Sequence, residues 1–145
     1  NTVFKSTSDG KLEINADEKY AIDGNSLKVS LKGSATDLTS RPGFYFNTSA
    51  LGDEKSVDVL SLNIYNENEK MTFAVYFVID GSETLYREIE LEKGWNYFEI
   101  QDFYSYVEEG LMQIRFRTEN FYEESNDGTP IEKVFYLDTI SIVKR

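Results

Sequence analysis

The chain has 145 residues, including ten Tyr, ten Phe and one Trp, but no cysteine and no histidine. This length predicts one domain with a core large enough to fold without disulfides. The missing residue types exclude disulfides, thiol nucleophiles, the Ser-His-Asp triad and metal sites built on Cys or His. A net charge of −11 disfavours phosphate backbones and anionic lipid surfaces, so we expect neither nucleic acid nor membrane as a partner.

Alternation of apolar and polar residues at period two predicts β-strands along the whole chain. In chain order, the predicted strands are short pieces near Val3 and Leu12, Ser26–Lys32, Phe44–Phe46, Asp58–Tyr65, Met71–Ile79, Thr84–Leu91, Trp95–Ile100, Met112–Arg117 and Val134–Val143. Turn signals such as Asp80-Gly81-Ser82 separate them at short intervals, and only residues 102–109 could hold a helical turn. The pattern predicts one all-β domain spanning residues 1–145, a two-sheet antiparallel β-sandwich of about nine or ten strands.

Three segments, in order along the chain, resemble strands of jelly-roll carbohydrate-binding modules. They are Gly24-Asn25-Ser26-Leu27-Lys28-Val29, Gly94-Trp95-Asn96 with Phe98 and Ile100, and Phe135-Tyr136-Leu137-Asp138-Thr139-Ile140. The resemblance covers the full length and implies a module of the galactose-binding-like jelly-roll group. It also implies non-catalytic glycan binding within a secreted or cell-surface glycan-active protein, and a buried Trp95. We expect a bacterial source, since the lack of cysteine fits a bacterial extracellular protein, although it fits a cytosolic one equally well. The start at Asn1, without an initiator Met, leads us to expect a mature product or a module cut from a longer chain.

Sugar binding requires flat aromatic rings that stack on C–H faces, together with amide, carboxylate or guanidinium groups for the hydroxyls. Period two places Met112, Ile114 and Phe116 toward the core. Six side chains of suitable type fall opposite the core, and we expect them on one sheet face as the ligand-binding residues: Asn63, Tyr65, Tyr76, Gln113, Arg115 and Arg117. Alternatively, the tyrosines follow from β-propensity and the arginines form surface ion pairs.

A second candidate site lies in the turn-rich connections between the strands. It consists of aromatic side chains that have no strand to explain them: Tyr104, Tyr106, Phe121 and Tyr122. In the alternative interpretation, these rings fold onto the edge of the sandwich and cover its core. Because the chain is acidic, we expect a neutral glycan, although the two arginines also suit an acidic sugar.

The resemblance further implies a structural calcium ion between the first and last strands. Asp138 matches its C-terminal ligand, whereas Lys5 stands where families with the metal carry an acid. Either Lys5 pairs with Asp138 in place of the ion, or the ion takes other ligands. The oxygen ligands proposed for the second case are Asp9 above all, then Asp17, Glu18 or Asp23. No cofactor is otherwise expected.

The sequence is compatible with three functions. The first is non-catalytic binding of a polysaccharide or oligosaccharide by a monomeric module, which would target an attached enzyme or cell-surface protein to it. The second is an adhesion or interaction module without glycan binding, marked by a contiguous exposed apolar patch. The third is a small carboxylate-dependent glycosidase or lyase; Glu88, Glu90 and Glu99 supply carboxyls, but nothing marks any two of them as a catalytic pair.

Overall fold

The computed structural model describes residues 4–6, 10–15, 26–32, 41–118, 132–138 and 140–145. Eleven strands and one α-helix occur in these residues. They are β1 (Phe4–Ser6), β2 (Gly10–Asn15), β3 (Ser26–Lys32), β4 (Gly43–Asn47), β5 (Val57–Asn66), β6 (Met71–Ile79), β7 (Ser82–Leu91), β8 (Gly94–Gln101), α1 (Phe103–Glu108), β9 (Leu111–Thr118), β10 (Glu132–Leu137) and β11 (Ser141–Lys144). Two 3-10 turns, Thr48–Leu51 and Glu54–Ser56, join β4 to β5.

The strands form two antiparallel sheets. One has five strands in the order β1-β4-β9-β6-β7. The other has six strands, and β5 is paired on both sides. β8 pairs with one side of β5, whereas β10 and β11 pair in succession with the other side. β3 pairs with β10, and β2 pairs with β3 at the edge of the sheet. The predicted all-β sandwich is confirmed, and the sheets lie face to face around one core.

Phenylalanine rings fill the space between the sheets. Phe44 and Phe116, on neighbouring strands of the five-stranded sheet, stack with centroids 4.8 Å apart. Phe98, from the six-stranded sheet, meets Phe116 edge to face at 5.5 Å. All three rings are fully buried, so the inward positions predicted by period two hold the sheets together through apolar burial.

Two local departures from the predicted pattern have clear causes. Met112 was expected in the core, but it is 52 % exposed, because a register shift between Val78 and Ile79 pairs Ile79 with Leu111 and buries Leu111 instead. Residues 102–109, where the sequence allowed only a helical turn, contain the helix α1. Its Phe103 and Val107 lie four positions apart and are both buried. Among the described residues, no helix is long and apolar enough to cross a membrane.

Candidate functional site

The six predicted site residues separate into two groups. Tyr76, on β6, and three β9 residues lie in the five-stranded sheet, whereas Asn63 and Tyr65, on β5, lie in the six-stranded sheet. The expectation that all six share one face is therefore wrong, because the sandwich places β5 in a different sheet from β6 and β9. The outer surface of the five-stranded sheet is called the front face here; its site side chains are Arg41, Tyr45, Asn47, Tyr76, Glu83, Gln113, Arg115 and Arg117.

Cross-strand pairing sets the order of side chains on the front face. Arg115 lies directly between Tyr45 of β4 and Tyr76 of β6, and Gln113 lies beside Asn47. Residues paired in this way have side chains on the same side of the sheet. The front face therefore carries a tyrosine on each side of a central guanidinium group.

Hydrogen bonds connect the polar side chains of β9 to their neighbours. The Gln113 Nε2 group donates to Asn47 Oδ1 at 2.9 Å, and the Arg115 Nε–H donates to the Gln113 Oε1 atom. The Glu83 carboxylate accepts from both arginines, from Arg115 through one oxygen and from Arg117 Nη1 through the other at 2.9 Å. These charge-assisted contacts hold both guanidinium groups in fixed orientations at a partly exposed surface.

Arg41 and Arg117 approach the ring of Tyr76. The Arg41 Nη1 group donates to the Tyr76 hydroxyl at 2.6 Å, and its guanidinium carbon lies 5.2 Å from the ring centroid. The Arg117 guanidinium carbon lies 5.6 Å from the same centroid. Both distances are within the range of a cation–π contact, so the orientation of this tyrosine ring is also fixed before any ligand arrives.

Two depressions run along the front face. One, of about 280 Å³, is lined by Tyr45, Gln113, Arg115 and Arg117 together with parts of two core phenylalanines. The other, of about 220 Å³, is lined by Arg41, Thr72, Ala74, Glu88 and Arg117. Because Arg117 lines both, they adjoin there and form a groove with aromatic, amide and charged walls.

Gly43 allows β4 to pack closely enough to build this groove. A Cβ atom at this position would lie 1.9 Å from the carbonyl oxygen of Phe116, far inside van der Waals contact. Gly43 pairs with Arg117, and this register places Tyr45 opposite Arg115. A glycine at the first residue of β4 is thus a steric requirement of the site.

Four front-face residues were not predicted from the sequence: Arg41, Tyr45, Asn47 and Glu83. Tyr45 and Asn47 alternate with the buried Phe44 and Phe46, so period two could have assigned them to the outer face. Arg41 precedes β4, and no pattern in the sequence marks it as a neighbour of Tyr76. The contact of Glu83 with two arginines of β9 depends on tertiary packing, which the sequence alone does not show.

Asn63 and Tyr65 lie on the outer surface of the six-stranded sheet, called the back face here. Tyr65 pairs with Trp95 of β8 and with Tyr136 of β10. Trp95 was expected to be buried, but it is 37 % exposed. The cause is the strand parity of β8: Phe98 and Ile100 face the core, and Trp95 has the opposite orientation.

The second candidate site is described only in part. Tyr106, on α1, packs edge to face on Phe77, with centroids 5.1 Å apart. This contact agrees with the alternative interpretation, in which these rings cover the core of the sandwich. The Arg145 guanidinium carbon lies 3.8 Å from the ring centroid of Tyr104. Both described rings therefore make contacts within the molecule, and they lie on a helix rather than in a loop. Phe121 and Tyr122 lie outside the described residues.

One of the two predicted calcium ligands is described. Asp138 is buried, and its backbone N–H donates to the Asn63 carbonyl oxygen at 3.0 Å. Lys5 is exposed and lies in the five-stranded sheet, on β1 opposite Tyr45, whereas Asp138 follows β10 of the six-stranded sheet. This arrangement does not favour a direct ion pair between Lys5 and Asp138. Asp9, Asp17, Glu18 and Asp23 are outside the described residues. Among the residues that the structure describes, no group of three acidic side chains is suitably placed to hold a metal ion.

Comparison with protein-family models and with curated proteins found no match. Solved structures do match. An exo-β-agarase aligns over 100% of this chain with a TM-score of 0.66 at 11% identity, and this chain covers 24% of the agarase chain. The CBM22-1 xylan-binding domain of Paenibacillus barcinonensis Xyn10C aligns over 99% of this chain and 87% of its own length, with a TM-score of 0.59 at 11% identity.

A third match is the family 11 carbohydrate-binding module of Clostridium thermocellum, in complex with a β-1,3-1,4-mixed-linked tetrasaccharide. It aligns over 97% of this chain and 87% of its own length, with a TM-score of 0.55 at 16% identity. The chain has the fold of jelly-roll carbohydrate-binding modules. The predicted resemblance is confirmed for the fold, whereas identities this low leave the ligand to be argued from the site.

Proposed function

We propose that this protein is a non-catalytic module that binds a neutral polysaccharide or oligosaccharide in the groove of the front face. The observation that carries the proposal is the depression lined by Tyr45, Gln113, Arg115 and Arg117, next to which Arg41 and Arg117 fix the Tyr76 ring. A fixed ring suits stacking on the apolar face of a sugar. The neighbouring amides and guanidinium groups supply hydrogen-bond donors and acceptors for the hydroxyls that surround it.

A neutral ligand agrees with the charges around the groove. Glu83 is shared by Arg115 and Arg117, so one carboxylate offsets part of their positive charge and orients both groups as donors. The whole chain carries a net charge of −11, which repels anions over longer distances. We therefore expect neutral polysaccharides to bind better than those that carry a carboxylate on every residue.

The structural neighbours support this ligand class and a place within a larger protein. One is named as a xylan-binding domain, and another is in complex with a mixed-linked tetrasaccharide. The agarase is a much longer chain, of which a region of this size is one part. By analogy, we propose a monomeric, extracellular bacterial module that targets an attached glycan-active enzyme or cell-surface protein to its polysaccharide.

Affinity electrophoresis tests the proposed function. The native protein is run in gels containing xylan, β-1,3-1,4-mixed-linkage glucan, agarose or polygalacturonate. We expect retardation by at least one neutral polysaccharide, with a dissociation constant between about 1 mM and 1 μM, and none by polygalacturonate. No reducing sugar should be released. Absence of retardation in every gel would overturn glycan binding and favour an interaction module, and sugar release would indicate an enzyme.

We also propose a structural calcium ion bound by Asp138 and Asp9. The support from the structure is the burial of the Asp138 carboxylate, since buried carboxylates pair with cations or with hydrogen-bond donors. If the ion binds the folded state only, millimolar CaCl₂ should raise the melting temperature relative to EDTA. Asp138→Asn should lower the melting temperature and remove this difference. Equal melting temperatures of the native protein in CaCl₂ and EDTA would contradict the calcium site.

A further inference from the structure

From the geometry of the back face, we propose a second carbohydrate-contact surface on it, in which Trp95 and Tyr97 stack on sugar rings of a polysaccharide chain. The inference goes beyond the front-face site but rests on the same proposed function. Both rings are exposed, Trp95 at 37 % and Tyr97 at 63 %. They lie two residues apart on β8, so they point to the same side of the sheet.

The back face holds Trp95 in place by packing. The Tyr65 ring meets the Trp95 ring at 5.3 Å with an interplanar angle of 78°. On its other side, Tyr65 meets Tyr136 at 6.2 Å and 68°. Tyr136 pairs with Tyr65 and is buried, so a row of three rings on the back face runs from a covered position at Tyr136 to exposed Trp95. A ring held edge to face on its neighbour loses little further freedom on binding a ligand.

Polar groups continue the aromatic row along β8. The Tyr97 hydroxyl donates to Glu99 Oε2 at 2.9 Å, and the Gln101 Nε2 group donates to Glu99 Oε1 at 2.9 Å. The hydrogen bond from Gln101 has the larger effect and that from Tyr97 the smaller, and both lower the pKa of Glu99. The Glu99 carboxylate offers acceptor oxygens for sugar hydroxyls, and Asn63 adds an amide directly opposite Tyr97.

This composition favours a glycan over a protein partner. Protein-binding surfaces expose a contiguous apolar patch, whereas here each exposed ring is followed along the strand by a hydroxyl, carboxylate or amide. The front and back faces are the outer surfaces of opposite sheets. One module could therefore contact two chains of the same polysaccharide, which would increase retention on a polymer without new contacts at either face.

Trp95 is the chain's single tryptophan, so its fluorescence reports directly on the back face. The test titrates Tyr76→Ala, in which the front face is impaired, with the polysaccharide that retards the native protein. We expect its emission to shift, and iodide to quench it less, as polymer is added. An unchanged emission and quenching at polymer concentrations that saturate the native protein would overturn the second surface. So would an emission shift that depends on protein concentration alone, because it would show self-association.

Tyr97→Ser provides an independent test, because the Tyr97 side chain is exposed and its replacement leaves the core intact. We expect about three- to tenfold weaker retention on the polymer, with the melting temperature of the native protein. Equal polymer retention by Tyr97→Ser and the native protein would overturn this inference alone. Failure of the native protein to bind any polysaccharide would overturn the proposed function as well.

Discussion

Replacing Tyr76 by alanine is expected to weaken the binding of a neutral oligosaccharide by about tenfold or more. The substitution removes the ring that two guanidinium groups hold beside the groove. It also removes the hydroxyl that accepts a hydrogen bond from Arg41. The Arg41 side chain then gains conformational freedom, which ligand binding must restrict at a cost in free energy. Isothermal titration calorimetry with the native protein and the variant measures the difference in dissociation constant.

Tyr76→Phe is the matched control for this prediction. It keeps the stacking ring and removes only the hydroxyl, so we expect a loss of affinity of about threefold or less. Unchanged melting temperatures of both variants would show that the fold is intact. Native affinity in Tyr76→Ala would contradict the role of the ring. Equal losses in the alanine and phenylalanine variants would assign the effect to the hydroxyl instead.

Replacing Phe116 by alanine is expected to lower the free energy of unfolding by about 3–5 kcal/mol. Its ring is fully buried, stacks on Phe44 within the five-stranded sheet and meets Phe98 across the sandwich. Alanine would leave a cavity where the two sheets touch, beneath the strand β9 that carries Arg115 and Arg117 on its other side. Urea unfolding, followed by circular dichroism, measures the change from the transition midpoint and slope.

Leu85→Ala is the control for the stability prediction. Leu85 lies in the same sheet but is 49 % exposed, so its replacement should change the free energy of unfolding by about 0.5 kcal/mol or less. A loss below about 1 kcal/mol for Phe116→Ala, or equal losses for both variants, would contradict the packing described for the core.

Period two was sufficient to predict the class of fold and many strands. Ser26–Lys32 and Met71–Ile79 have the predicted bounds, and their core-facing residues, such as Val29 and Phe77, are buried as the alternation predicts. The C-terminal strand was predicted as one segment, Val134–Val143, and occurs as β10 and β11. Both pieces pair with the same side of β5, so the sequence pattern does not reveal the break.

Period two was not sufficient to predict which strands are neighbours. Alternation places Tyr65 and Tyr76 opposite the core, but their assignment to different sheets depends on pairing with segments far away in the chain. Met112 shows a second limit, because the register shift that exposes it lies on the partner strand. The contacts of Arg41 with Tyr76 and of Glu83 with β9 join residues more than thirty positions apart, and no local pattern predicts them.

The most direct test of the front-face site is an NMR titration of the ¹⁵N-labelled protein with a short neutral oligosaccharide of the polysaccharide that retards it. After backbone assignment, we expect the largest amide shift changes to cluster at Tyr45, Tyr76 and residues 113–117. Unchanged signals at these positions, with shifts confined to α1 or to the strands of the six-stranded sheet, would contradict the proposed site.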